Sequence, residues 1–432
     1  MNHPRNARAA STRVLVALAL LGTLTAGCGG VDPNSGDTQL PPGATSATAS
    51  FSAIAAHVAK YADTVVLEGH GGSKALISPR LQGRLLTFRV GTVESTGFVN
   101  LAGVAAGEVD PSFNNFGGAD RFWLYPEAGQ FGLYFDPGAE LNRKVWKVPA
   151  SLNQGAFKLA AKSPHRVLLT RDMEVMNYSG TRFSVKVERE VGIVLDDDLP
   201  TELGVKLPSG VHFAGATTKN TLTNTGPDTW SPEKGLVGIW ILGMFNASDK
   251  AAIIAPFRPG SEKDLGPKFN DDYFGKLSVE VPDRFQTLGN AAIFKADARR
   301  VGKFGLSQQR TTGLAGSYDY GKNLLTIVKF DVPTIPERYG NSTWVKVQAE
   351  PFKGDPFQTY NNGPPDPRTG EIADAPFYEL ESASPVRPLP AGGTITHRHS
   401  TYHFQGDPKK LETLAKQLLD VDLAAVKAAL RL

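Results

Sequence analysis

Cysteine is almost missing from this chain. One residue, Cys28, stands among 432, which excludes an internal disulfide and leaves no thiol downstream for catalysis or metal binding. No sign of charge dominates either: 46 Lys and Arg face 43 Asp and Glu. The small excess is Arg5, Arg8 and Arg13, and without residues 1–27 the balance is 43 against 43, which argues against a nucleic-acid partner. No apolar run reaches membrane-spanning length; Val14–Leu21 is too short for a bilayer. There is no Walker sequence, His-Glu-x-x-His, EF-hand loop or Gly-x-Ser-x-Gly elbow. Gly69-His-Gly-Gly72 lacks the spacing of a nucleotide loop. Asp196-Asp-Asp198 runs into Leu199-Pro200 where a calcium loop would continue, so it reads as a solvated turn.

What the N-terminus does have is the layout of a secretory signal: three arginines, the apolar core Val14–Leu21, then Thr25-Ala-Gly-Cys28. The last four residues resemble a bacterial lipobox. Residues 1–27 are therefore expected to be a lipoprotein signal peptide and Cys28 the lipidated first residue of the mature chain. Gly, Pro, Ser, Thr and Asp fill much of 28–50, which predicts a flexible tether. The expected location is the bacterial cell envelope, with a membrane engaged through Cys28.

From Phe51 to Leu432 no linker divides the chain, so a single domain is predicted. Short β-type segments punctuated by Gly, Pro, Asn and Asp dominate it. Arg166–Val194 reads as a hairpin around Asn177-Tyr-Ser-Gly180, with Phe183, Val185 and Val187 on its buried face. Leu324–Phe330 and Trp344–Ala349 read as further strands. The expectation is a mainly β protein, two large antiparallel sheets packed face to face. Short helices are expected at its ends. One carries Ile54, Val58 and Tyr61, with a structural His57 beside that stripe. The C-terminal helices, within 407–431, start at Asp407-Pro408 and bury Leu411, Leu414, Ala415 and Leu418, then Leu423, Val426 and Leu430. They are expected to cover a sheet edge or one end of the sandwich.

Three of the eight histidines lie within seven residues, in Thr394-Ile-Thr-His-Arg-His-Ser-Thr-Tyr-His-Phe404. On a strand, His397, His399, Thr401 and His403 share a face, as do Glu379 and Glu381 upstream. Carboxylates facing imidazoles suit acid–base chemistry on a sugar, with Glu379 or Glu381 as base and His397 or His399 as acid. His-x-His plus a carboxylate is also a metal-ligand set, though a divalent ion is not the favoured reading and no cofactor is expected. A polar ladder on a sheet face is the plain structural alternative.

Aromatics mixed with amides and charges mark further candidate sugar contacts. Arg121, Trp123 and Glu127 fall on one face if extended, the alternative being a buried Trp beside an ion pair. Asn220 and Asn224, and Asp272 and Tyr273, are others, each also explained as turn chemistry, and Tyr360 and Asn361 are expected on a rim loop ahead of the glutamate strand. His403 joins them as a contact.

These same stretches carry a resemblance. Gly117-Gly-Ala-Asp-Arg-Phe-Trp-Leu-Tyr-Pro-Glu-Ala-Gly-Gln130, the run Asn220–Trp230 with Trp240-Ile-Leu-Gly-Met-Phe245, Asp272-Tyr-Phe-Gly275, Gly316-Ser-Tyr-Asp319 and Tyr378-Glu-Leu-Glu-Ser382 resemble a family of bacterial envelope proteins. That family is similar in build to the galactose mutarotase-like β-supersandwich group. The resemblance implies a β-supersandwich and a carbohydrate ligand, with Glu379 or Glu381 matching the group's late catalytic Glu. The group's usual first-half histidine has no counterpart in Asn220–Asn224. Epimerase-, lyase- or hydrolase-like processing is thus one expectation, and a glycan-binding lipoprotein without turnover the other.

Overall fold

The computed structural model describes residue 40 and residues 43–432. Its largest sheet has ten strands, in the order β11 (Phe285–Leu288), β12 (Ala291–Lys295), β10 (Ala251–Pro256), β14 (Leu314–Asp319), β15 (Leu324–Phe330), β18 (Thr394–Gly406), β8 (Val211–Asn224), β7 (Arg182–Val194), β6 (Arg166–Met176) and β5 (Lys158–Ser163). A five-stranded sheet follows the order β13 (Gly302–Leu306), β16 (Phe357–Asn361), β17 (Phe377–Ala383), β9 (Gly238–Asn246) and β4 (Arg121–Tyr125). A three-stranded sheet comprises β1 (Val65–Glu68), β2 (Lys74–Ser78) and β3 (Arg84–Arg89). Every strand pair is antiparallel. The mainly β antiparallel architecture expected from the sequence is the one observed.

The two larger sheets share one core. Phe122 and Leu124 of β4, Ile239 and Ile241 of β9, and Leu380 of β17 pack with Val167 and Leu169 of β6, Val185 and Val187 of β7, and Leu222 of β8. Alternation explains the choice: each strand turns every second residue inward, and at the positions named those residues are apolar. The hairpin around residues 177–180 forms as its pattern predicts, with Phe183, Val185 and Val187 buried.

Both C-terminal helices form where their caps lie. The Asp407 carboxylate accepts from the backbone N–H of Lys409 at 2.9 Å, ahead of helix Pro408–Leu419. This helix and Leu423–Leu430 cover the outer face of the ten-stranded sheet. Leu411, Leu414, Ala415 and Leu418 pack with Ala252, Ile254, Leu325, Ile327, Tyr402 and Phe404. They shield a face, not the edge or end expected, because those strands carry apolar residues on both sides.

Three other expectations are corrected. Trp344–Ala349 is not a strand: it is irregular, and Val347 is 77% exposed, so its alternation marks no buried face. Tyr61 lies beyond helix Phe51–Ala59 and is 51% exposed, whereas Ile54 and Val58 are buried as predicted. The tether expected over 28–50 ends early, since Ser46 and Ala49 are buried and Ser46 Oγ donates to Asn246 Oδ1 at 2.8 Å. The signal peptide and Cys28 lie outside the described residues. His57 is structural, its Nε2 2.9 Å from the Leu101 carbonyl.

Candidate functional site

The five-stranded sheet turns its second face toward a cavity of about 410 Å³. Register sets which side chains meet there. Lys303 on β13 pairs with Tyr360 on β16, Tyr360 with Glu379 on β17, and Glu379 with Met244 on β9. Glu381 pairs with Leu242, which pairs with Arg121 on β4; Trp240 pairs with Trp123. All of these residues line the cavity. Gly117 makes the approach to β4 feasible: its φ is +79°, and a Cβ there would collide with the Phe98 carbonyl. Loops supply the facing wall with Phe113, Glu127, Arg143, Trp146, Phe274 and Trp344.

Polar groups inside are paired in a defined way. Lys303 Nζ donates to both oxygens of Glu381, at 3.0 and 3.3 Å, and the Trp240 indole N–H donates to Glu381 Oε2 at 3.0 Å. Arg121 Nη2 donates to Glu379 Oε1. The Trp146 indole donates to Glu127 Oε1 at 2.9 Å. The Trp344 indole N–H also favours the Glu127 charge, but outside full hydrogen-bond geometry, so it has no partner of its own among the described residues. Burial pushes the Glu379 carboxyl up to about 8; the Arg121 guanidinium opposes that rise and the neighbouring Glu381 adds to it. Burial also raises Glu127, against the pull of Lys303.

Arg121, Trp123 and Glu127 thus converge as the sequence suggested, and so do Glu379, Glu381 and Tyr360. The histidines do not join them. Glu379 and Glu381 occupy one face of β17 and Ser382 the other, where its Oγ lies 2.7 Å from His397 Nε2 and 2.8 Å from His399 Nδ1. His397, His399 and His403 are fully buried between the two sheets. Burial depresses them to about 3, 4 and 3, so they are neutral core groups. His397 Nδ1 has no partner among the described residues. That assigns the proton to its Nε2, donating to Ser382, which in turn donates to His399 Nδ1. His403 sits between the hydroxyls of Thr96 and Thr326, at 3.0 and 2.9 Å. Pairing Glu379 or Glu381 with His397 or His399 as base and acid is therefore overturned, and the His-x-His-plus-carboxylate metal set does not assemble.

Four more candidates lie elsewhere. Asn220 is a core residue whose Oδ1 accepts from Arg189 Nη1 at 2.7 Å. Asn224, the last residue of β8, accepts from the Gly226 N–H at 3.0 Å, as a turn residue does, and donates to the Leu389 carbonyl at 2.9 Å. Asp272 is exposed and paired with Lys276. Asn361 points away from the cavity, donating to the Arg300 carbonyl at 2.9 Å; Asn362 takes its place in the lining. Tyr273 stands behind the site, donating to Asp355 at 2.7 Å with Lys303 Nζ 5.3 Å from its ring centre.

Sequence reading passed over Lys303, Arg143, Trp146, Trp240 and Trp344 as site residues. One signal was available: the chain has five tryptophans, and four of them meet here. Among the described residues one group has metal-like spacing, His70 with Asp196 and Asp197, at the surface and far in character from this cavity.

Structural comparison finds similar proteins at low identity. A putative aldose 1-epimerase from Escherichia coli is 14% identical with a TM-score of 0.46, covering 79% of this chain and 98% of its own. A galactose mutarotase-like protein from Lactobacillus casei is 13% identical with a TM-score of 0.45, covering 79% and 100%. The Slr1438 protein from Synechocystis is 10% identical with a TM-score of 0.47, covering 80% and 98%. Among curated proteins there is no significant match. A family model does match, over residues 49–430, nearly the whole described fold. The chain belongs to the family of unknown function DUF6786.

Proposed function

We propose that this protein takes up a carbohydrate in the tryptophan-lined cavity and acts on it by carboxylate acid–base chemistry. Sugars offer apolar CH faces and hydroxyl edges. Trp146 and Trp344, the partly exposed members of the four tryptophans, supply faces for the first, while Glu127, Arg121, Asn115 and Asn362 supply partners for the second. The observation that carries the reading is the carboxylate pair on β17. Glu381 accepts from Lys303 and Trp240, whereas Glu379 holds its proton near neutral pH and is the proton carrier. The reaction class is epimerase-, lyase- or hydrolase-like.

A glycan panel with product detection by mass tests this. Glu379→Gln is expected to lower turnover at least about 100-fold while leaving the unfolding midpoint nearly unchanged. Turnover that survives the substitution overturns the role of Glu379.

A second reading, glycan binding without turnover, has its own supporting observation. Both oxygens of Glu381 are already engaged and Arg121 holds Oε1 of Glu379, so most of the carboxylate atoms that would move a proton are occupied. Tryptophan fluorescence that responds to an oligosaccharide, with no product after long incubation, would select it.

Anchorage belongs to the same proposal: an envelope lipoprotein held by lipid on Cys28. No helix among the described residues is long and apolar enough to cross a membrane. Cys28→Ser is expected to shift the protein from the membrane fraction to the soluble fraction. Unchanged sedimentation with membranes would refute anchorage through this residue.

A further inference from the structure

The Arg121 guanidinium is 1% exposed, yet its Nε and Nη1 have no hydrogen-bond partner among the described residues. Only Nη2 is used, toward Glu379. The group stacks on Trp123, its Cζ 4.6 Å from the ring centre, and that contact engages its face without satisfying N–H groups in its plane. A buried cation with half-used donors is costly unless something else completes its shell.

Arg143 is the second unmatched cation in the cavity. It is exposed, lies against the Phe274 ring at 5.3 Å, and has no ion-pair partner among the described residues. Lys303, the third, is taken by Glu381. Of the three acids lining the cavity, Glu381 and Glu379 are each tied to a cation and Glu127 to an indole. Burial raises Glu379, which makes it a weaker counter-charge to Arg121 than an ordinary carboxylate, and Arg143 is matched by no acid of the lining among the described residues.

Resting on the reading of this cavity as a sugar site, we propose that its ligand is an acidic carbohydrate, a uronate-type sugar whose carboxylate is bound by Arg121 and drawn in by Arg143. Hydroxyls could accept from the unused Arg121 donors, but only an anion both accepts and balances charge. Arg143 at the exposed side acts chiefly on encounter, so its contribution is screened by salt.

The test titrates the full-length protein, by calorimetry and tryptophan fluorescence, with oligogalacturonate, oligoglucuronate and oligomannuronate. Neutral galactose, glucose and mannose oligomers of equal length serve as controls, with a sulfated oligosaccharide as a second anion. The expected result is binding of at least one uronate at least about 10-fold tighter than its neutral match. Arg143→Ala should weaken it several-fold and flatten its salt dependence. Arg121→Met should weaken it roughly 100-fold. Because that single change removes the donor to Glu379, Arg121→Met with Glu379→Gln provides a version in which no titrating carboxyl is left at that position. Neutral oligomers binding as well as the acidic ones, or uronate affinity unchanged in the double variant, overturns the inference and leaves the sugar site standing. A preference for the sulfated probe over every uronate overturns the carboxylate assignment. Binding of no carbohydrate at all overturns both this inference and the sugar site.

Discussion

Lys303→Met is expected to lower folding stability by about 3–5 kcal/mol, among the largest losses available to one substitution in this chain. Lys303 is 4% exposed and Glu381 0%, so removing the ammonium leaves a buried carboxylate in the cavity wall with only the Trp240 N–H as a hydrogen-bond donor. The ammonium also faces the Trp240 ring at 4.8 Å, and this contact disappears too. Urea unfolding of the variant measures the loss. Adding Glu381→Gln to the same chain should recover more than half of it, since an amide needs no counter-charge. A single variant within about 1 kcal/mol of the parent would mean that the pair is not buried as described.

The second large effect is on acid stability. His397, His399 and His403 titrate at about 3 to 4 in the fold and near 6.5 once unfolded. Their folded values are depressed, so the unfolded chain takes up protons first. Their contribution is complete above pH 6.5 and is lost as pH falls toward 3–4. Each of the two held near 3 accounts for roughly 3 kcal/mol between pH 7 and pH 4. Glu379 acts in the opposite direction. Its folded value, about 8, lies above its ordinary 4.5, so its contribution is complete below 4.5 and disappears as pH rises through 8. Stability should therefore be highest near pH 6–7 and fall on both sides, most steeply around pH 4–5, between the folded and unfolded histidine values. His403→Gln isolates one histidine. The variant loses packing against Phe88 and Phe245 at pH 7, and its deficit should narrow by roughly 2–3 kcal/mol on going to pH 4. A deficit that stays constant with pH would mean that His403 is not held neutral.

Much of this fold is written in local patterns. Alternation over Arg182–Val194 and the cap at Asp407 each specify an element without knowledge of its neighbours. Alternation also says correctly that Glu379 and Glu381 share a face, and that His397, His399 and His403 do. It is silent on which faces meet. β17 and β18 follow each other in sequence but belong to different sheets, so the glutamates look outward while Ser382 reaches the histidines. Trp344–Ala349 shows the same limit in another form: Val345 and Val347 alternate with Lys346 and Gln348, yet no strand among the described residues pairs with that segment, and the Gln130 side chain holds the Gln348 backbone instead. Lys303 was invisible because it becomes a partner of Glu381 only through two intervening strand pairings.

One wall of the cavity is woven and the other is not. β13, β16, β17, β9 and β4 are laced together, and the packed imidazole layer behind β17 leaves that side no room to retreat. Residues 126–149 and 331–356, which carry Glu127, Arg143, Trp146 and Trp344, contain no regular strand or helix. Guests of differing size must then be accommodated from the loop side alone, like a hand closing on an anvil. Amide exchange should slow in those loops on loading, while the lattice beneath keeps its pace.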